Sequence, residues 1–146
     1  MTTNAFISNE LIEVNLNANG VSPLNYVTLP EGSEISGFGE STPLVDVTHY
    51  QSTSREYIGG LADGDEFSIT SNRVHASPDY QNQMMVTLKG LTRGMRITET
   101  DTSVSPNTVR IYSFDVVILG WTQNAPVGDK VSITFNFKIT GGITIS

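Results

Sequence analysis

An antiparallel β-sandwich or open barrel with one packed α-helix is the fold this sequence predicts, and three observations predict it. Residues 131–140 alternate without a break: Val131, Ile133, Phe135, Phe137 and Ile139 fall on one side, Ser132, Thr134, Asn136, Lys138 and Thr140 on the other. That period of two marks a strand with one buried face. Short β-like runs bounded by Gly, Pro, Asn and Asp recur along the rest of the chain, and a single segment near residues 78–90 carries helical spacing. With 146 residues the chain fits one domain, which buries roughly 68–70% of the surface its unfolded form exposes. A core of that size needs no covalent staples.

The first 25 residues carry Asn at 4, 9, 15, 17, 19 and 25 and close on Gly20 and Pro23. Leu11, Ile12, Val14 and Leu16 fit either a short strand or an arm laid on a neighbouring molecule; residues 1–25 are read as an N-terminal arm ahead of a β domain spanning 26–146. Tyr26–Leu29, Ile35–Phe38 and Leu44–Thr48 follow as β-like runs. Asp63-Gly64, between Arg55–Leu61 and Glu66–Thr70, predicts a hairpin turn, because glycine accepts the positive φ that such turns require. In the second arm Phe67 and Ile69 face opposite to Glu66, Ser68 and Thr70. The helix begins with Ser77 as cap, Pro78 at its first position and Asp79 at the end that favours an anion. Tyr80, Met84, Met85, Leu88 and Leu91 recur along it, a core-facing stripe, and it ends near Lys89-Gly90 or Thr92–Gly94. Beyond it lie Met95–Glu99, a polar turn with Pro106, and a long run from Val109 to Trp121. Its Tyr112–Leu119 portion is apolar on both faces, as a central strand is.

Composition narrows the chemistry. The chain has no cysteine, which removes disulfides, thiolate catalysis and thiolate metal sites. Met1–Ala5 lacks the positive start and apolar run of a signal peptide, and no apolar stretch approaches the roughly 18–20 residues of a membrane span; neither classical export nor a membrane partner is expected. Net charge is −7 and unevenly placed. Residues 1–72 hold ten acids against one base, Arg55, whereas residues 73–146 hold five acids against seven bases. Halves so unlike, if set at different ends of the fold, draw copies together head to tail; scattered across solvated faces, they do nothing. No basic stripe suits tight binding of nucleic acid.

No catalytic, cofactor-binding or metal site is predicted, and the chain is not expected to be an enzyme. His49 and His75 stand apart without a zinc spacing. Asp63 and Asp65 flank a glycine but lack the further oxygen ligands of a calcium loop. Gly37-Phe38-Gly39 has neither the third glycine nor the following helix of a dinucleotide fingerprint, and phosphate-loop and nucleophile-elbow motifs are missing.

One block carries a functional signal: Asp46-Val47-Thr48, then Ser52, then Arg55-Glu56-Tyr57-Ile58, Gly60-Leu61 and Asp63-Gly64. With this order and spacing the chain resembles the tail tube proteins of long, non-contractile-tailed bacteriophages. The helix from Pro78, the run Tyr112–Asp115, the segment Pro126–Val131 and the ending Thr140–Thr144 follow in the order such proteins use, so the resemblance covers residues 26–146. Gly59-Gly60 and Gly142 depart from the usual pattern.

The resemblance implies a structural virion protein of the phage tail, assembled in the host cytoplasm as stacked homohexameric rings. These form the hollow tube that conducts double-stranded DNA during ejection, without tight binding. Its partners would be copies of itself, with tape-measure, tail terminator and tail tip proteins. Closing sheets across subunits would also hide their edges. Asp46, Thr48, His49, Ser52, Arg55 and Glu56 are the expected subunit and ring contacts. Glu66, Ser68 and Thr70 on one strand, and Ser132, Thr134 and Asn136 on another, are candidates for the lumen lining; an outward solvated face is the alternative, and Lys138 fits a lumen register poorly. Tube proteins of contractile or secretion systems, or a ligand-binding or adhesin-like β-sandwich, are the competing readings.

Overall fold

A computed structural model describes residues 8–18, 23–30, 32–75 and 78–146. The strands are β1 (Ser8–Asn15), β2 (Tyr26–Thr28), β3 (Gly32–Ser36), β4 (Glu40–Ser41), β5 (Leu44–Asp46), β6 (Tyr57–Gly59), β7 (Asp63–Gly64), β8 (Glu66–Asn72), β9 (Thr92–Asp101), β10 (Thr108–Asn124) and β11 (Ser132–Ile145), with one helix, α1 (Tyr80–Val86). Seven strands pair in the order β2-β1-β9-β10-β11-β8-β3, every pair antiparallel. The apolar-on-both-faces segment lies in β10, the middle strand, as its composition predicts.

The two edge strands, β2 and β3, are consecutive in the chain. Seven strands laid flat would hold them roughly 29 Å apart, yet the four steps from Thr28 to Gly32 reach roughly 14 Å at full stretch. The sheet is therefore curled into an open barrel. Leu29 N–H donates to the Ile12 carbonyl at 2.9 Å, and a Cβ added at Gly32 would stand 3.5 Å from Ile12 Cδ1, which brings the far edge back against β1.

The concave side holds the core. Ile133, Phe135, Phe137 and Ile139 of β11 are buried beside Phe67 and Ile69 of β8, Phe114, Val116 and Ile118 of β10, Met95 and Ile97 of β9, and Ile12 and Val14 of β1. Phe67 stacks on Phe137 and meets Phe114 and Phe38 edge-on. Each such burial is worth about 1.5–3 kcal/mol. The clean alternation of residues 131–140 is this arrangement read along one strand.

Three expectations need correction. The segment read as an arm contains β1, which pairs with β9 from Ser8 to Val14 and with β2 from Glu13 to Asn15, so residues 8–15 belong to the sheet. Its asparagines are partly structural: buried Asn15 Oδ1 accepts from the N–H groups of Asn17 and Asn25, each at 3.1 Å, and Asn17 Nδ2 donates to the Pro23 carbonyl at 2.8 Å. Residues 1–7 and 19–22 lie outside the described residues.

The helix is shorter than the periodicity suggests. Its cap is Asp79, whose carboxylate accepts from Asn82 N–H at 3.0 Å; Ser77, the expected cap, lies outside the described residues. Helical hydrogen bonding stops at Thr87, Gly90 takes a φ of 82°, and Leu91 is 40% exposed instead of completing the stripe.

Asp63-Gly64 is not a hairpin turn. These residues are a strand paired with β4, and Gly64 has no positive φ. Glycine is required there by space: a Cβ would come within 2.4 Å of Ile139 Cβ and Cγ2.

A polar node anchors the helix. Gln81, wholly buried, accepts through Oε1 from Val74 N–H and Arg73 Nη1, each at 2.9 Å, and donates through Nε2 to the Asn72 carbonyl at 2.8 Å and Ser71 Oγ at 3.2 Å. Arg73 also grips both oxygens of Asp79, at 3.1 and 3.0 Å. That grip, followed by the Asn82 N–H bond, holds the Asp79 carboxyl below its ordinary range.

Candidate assembly surfaces

Past the barrel, β3 and β8 continue as a two-stranded ribbon. The pairs Glu40↔Gly64 and Ser41↔Asp63, then Leu44↔Gly59, Val45↔Ile58 and Asp46↔Tyr57, extend the ladder outward. Gly37, at a φ of 85°, supplies the bend where β3 ends. Where β7 crosses the barrel end it is clamped: Ile139 N–H donates to the Asp65 carbonyl at 3.3 Å, and Lys138 Nζ reaches the Gly64 carbonyl and Asp63 Oδ1. Beyond that clamp β5 and β6 pair with each other.

The six residues expected at contacts between copies come together at the ribbon's tip. Thr48 N–H donates to Asp46 Oδ1 and Arg55 Nη1 to Asp46 Oδ2, both at 2.9 Å. Glu56 N–H donates to Thr48 Oγ1 at 2.9 Å, while the Glu56 carboxylate accepts from Ser52 Oγ and lies 3.3 Å from His49 Nε2. His49 N–H donates to Ser52 Oγ at 3.1 Å. The bonds from Thr48, and less strongly that from Arg55, hold the Asp46 carboxyl below its usual range. Asp46, Thr48, Ser52 and Glu56 thus shape a turn within one chain. The charge-assisted pair Asp46–Arg55 is internal and solvent-exposed.

Sequence reasoning missed the ribbon's apolar residues. Leu44, Val45, Val47, Tyr50, Tyr57, Ile58 and Leu61 are all exposed, Tyr50 completely and Leu61 to 90%. The signal was present in the run Leu44-Val45 opposite Tyr57-Ile58, but alternation alone cannot tell a half-buried strand from one whose partner is another molecule.

The six lumen candidates also share one surface. β8 and β11 are neighbours, with Thr70 opposite Thr134, Ser68 opposite Asn136 and Ser132 opposite Asn72. The hydroxyls of Thr70 and Thr134 lie 3.1 Å apart. All point away from the core, and Glu34 and Ser36 of β3 extend the same face beside Thr70 and Ser68. Lys138, which fitted this face poorly, turns to Asp63 and Gly64, so its charge is countered there. The face that remains is hydroxyl and amide, edged by the carboxylates of Glu34 and Glu66. Among the described residues no group of His, Asp and Glu could hold a metal ion.

No protein-family model and no curated protein sequence matches the chain. Solved structures do match in fold. A chain of the anti-feeding prophage baseplate, symmetrised six-fold, superposes with a TM-score of 0.64 at 10% identity, covering 100% of this chain and 97% of that one. A chain of the SPP1 tail tube gives 0.65 at 10% identity, covering 94% and 76%. A chain from the tail of an empty gene transfer agent particle, refined with six-fold helical symmetry, gives 0.61 at 16%, covering 93% and 94%. At these identities the likeness is one of fold.

Proposed function

We propose that this chain is a structural, non-enzymatic subunit of a hollow tail tube, in which copies close into six-membered rings and the rings stack. The observation that carries the reading is the ribbon: a turn ordered by its own polar residues holds seven large apolar side chains out in water. Soluble monomers rarely keep such a surface bare, and an isolated two-stranded ribbon is marginal on its own. A neighbouring copy would cover both faults.

In the ring, the face carrying Glu66, Ser68, Thr70, Ser132, Thr134 and Asn136 would line the bore. Hydroxyls and amides edged by acids let a phosphate backbone slide, because affinity for DNA comes chiefly from clustered Lys and Arg. The tube would belong to the tail of a non-contractile phage, be assembled in the host cytoplasm, and meet tape-measure, terminator and tip proteins at its ends. The Asp46–Gly64 block supports that assignment. The likeness to a baseplate chain of the anti-feeding prophage and to a chain of a contractile sheath–tube complex supports a contractile tube as the second reading. A sheath protein that binds the assembled tube would decide for it.

Negative-stain electron microscopy of concentrated protein, at low and raised salt, tests the proposal. Hollow tubes or six-fold rings are expected; a discrete oligomer without a central hole would overturn it.

A further inference from the structure

We infer that the tip of the ribbon in one copy seats, through Tyr50, in a cleft at the opposite end of the next copy. The cleft, of about 480 Å³, is lined by Arg73, His75, Met85, Gln123, Lys130 and Val131, together with the end of β8 at Asn72. The ribbon leaves from the start of β8, at Asp63–Glu66, so knob and cleft stand at the two ends of the same strand. This inference rests on the tube reading for the identity of the occupant, a second copy of this chain.

Charge favours that pairing over one ribbon against another. The ribbon segment 37–65 carries Glu40, Asp46, Glu56, Asp63 and Asp65 against Arg55 alone, whereas none of the residues lining the cleft is an acid. Arg73 and Asp79 beside it neutralise each other, so among the described residues the charge left to the cleft is that of Lys130. Two ribbon ends set face to face would crowd carboxylates, so a head-to-tail contact is favoured, the kind that propagates without closing on itself.

The shapes also correspond. Tyr50 stands at the apex of a turn already fixed by hydrogen bonds on both sides of it, namely His49 N–H to Ser52 Oγ and Gln51 N–H to His49 Nδ1. It offers a large amphipathic side chain on a backbone that is already ordered. Met85 and Val131 would flank the ring, with the Gln123 amide and the Lys130 ammonium within reach of its hydroxyl and of the acids behind it.

The chain's lack of cysteine makes the test clean. Single variants Gln51→Cys and Gln123→Cys, which keep Tyr50, are mixed and treated with a short bis-maleimide. Gln51→Cys with Val104→Cys, an exposed position on the ribbon's own end of the barrel, serves as the control pair. Cross-linked dimer is expected for the first pair at roughly tenfold the yield of the second, as pre-docking raises effective concentration. Adding Lys130→Glu, or Tyr50→Ala on the Gln51→Cys chain, should cut that yield several-fold. Equal yields for the two pairs, or none for the first, overturn the inference. Hollow tubes under the microscope without the 51–123 link would sink the socket alone; the link without hollow tubes would sink the tube reading and leave the socket.

Discussion

The barrel and its ribbon use the same residue types to opposite ends. In the barrel, Phe135 and Phe137 bury their rings against strands of the same chain, and even the buried amide of Gln81 has a partner for each donor and acceptor site it offers. In the ribbon, Leu44, Tyr57 and Ile58 face water while the polar side chains beside them fix the turn. One region is complete in a single chain; the other, on the tube reading, would be finished by a second. Mutations should therefore separate stability from assembly.

The largest effect on stability is expected in the barrel. Phe135→Ala should cost about 3–5 kcal/mol, because the ring is fully enclosed and its neighbours cannot collapse onto the gap. Denaturant titration measures this; a loss under about 1 kcal/mol would mean the core is looser than its packing implies. Gly64→Ala comes next. The added methyl collides with Ile139 on a backbone held by the Asp65–Ile139 bond, so an overpacking cost of about 1–3 kcal/mol is expected. Relief by Ile139→Ala in the double variant would confirm the cause.

The polar node should follow. Gln81→Leu keeps much of the bulk but strands Val74 N–H and the Asn72 carbonyl, at about 1–3 kcal/mol for the buried groups left unpaired. Asp79 adds a pH dependence of known sign. Its folded pKa is lowered, first by Arg73 and then by Asn82, so its contribution is complete above the unfolded carboxylate value near 4 and fades as pH falls through the folded one. In Asp79→Asn the melting temperature should fall less steeply below about pH 4 than in the parent.

How far the sequence was legible follows the same division. Strand alternation in residues 131–140, and the apolar run Tyr112–Leu119, identified β11 and β10 because their own chain buries the inner face of each; the outer face of β10 stays partly open, with Leu119 exposed. The polar members of the Asp46–Glu56 block were singled out by a family resemblance as contacts between copies; that they order a turn within one chain was not read from their spacing. What stayed hidden depends on distant contacts. Gly64 looks like a turn glycine until Ile139, 75 positions on, is seen above it. The Asn-rich start looked like an arm because nothing local shows Asn15 bridging Asn17 and Asn25, or Leu11–Val14 meeting β9. The helix was overextended because Leu88, past its last turn, is buried like a helical residue without being one.

Ribbon substitutions should barely touch the stability of the single chain. Leu44→Ser with Ile58→Ser removes side chains that are 71% and 54% exposed, so unfolding should shift by no more than about 0.5 kcal/mol. Tubes or rings should nevertheless be lost under the microscope. A matching fall in stability would mean the ribbon packs on its own barrel.

The smallest effect lies at the ribbon's tip, and it tests what orders the turn. Asp46 is held below the ordinary carboxylate range chiefly by Thr48, with Arg55 adding less. By the same sign as Asp79, the turn's order is complete above about pH 4 and is given up as pH falls through the folded pKa. The pair is exposed, and exposed pairs contribute little to stability, so global unfolding should not register it. The Thr48 amide should, since its N–H donates directly to Asp46 Oδ1. Its proton resonance is expected to move upfield as pH falls below about 4, and to lose that dependence in Asp46→Asn. Arg55→Ala should shift the midpoint upward only slightly, while Thr48→Val, which removes the hydroxyl that also receives Glu56 N–H, should shift it more and loosen the turn. The reverse ranking would mean the Arg55 pair, not the Thr48 bonds, sets the tip's shape.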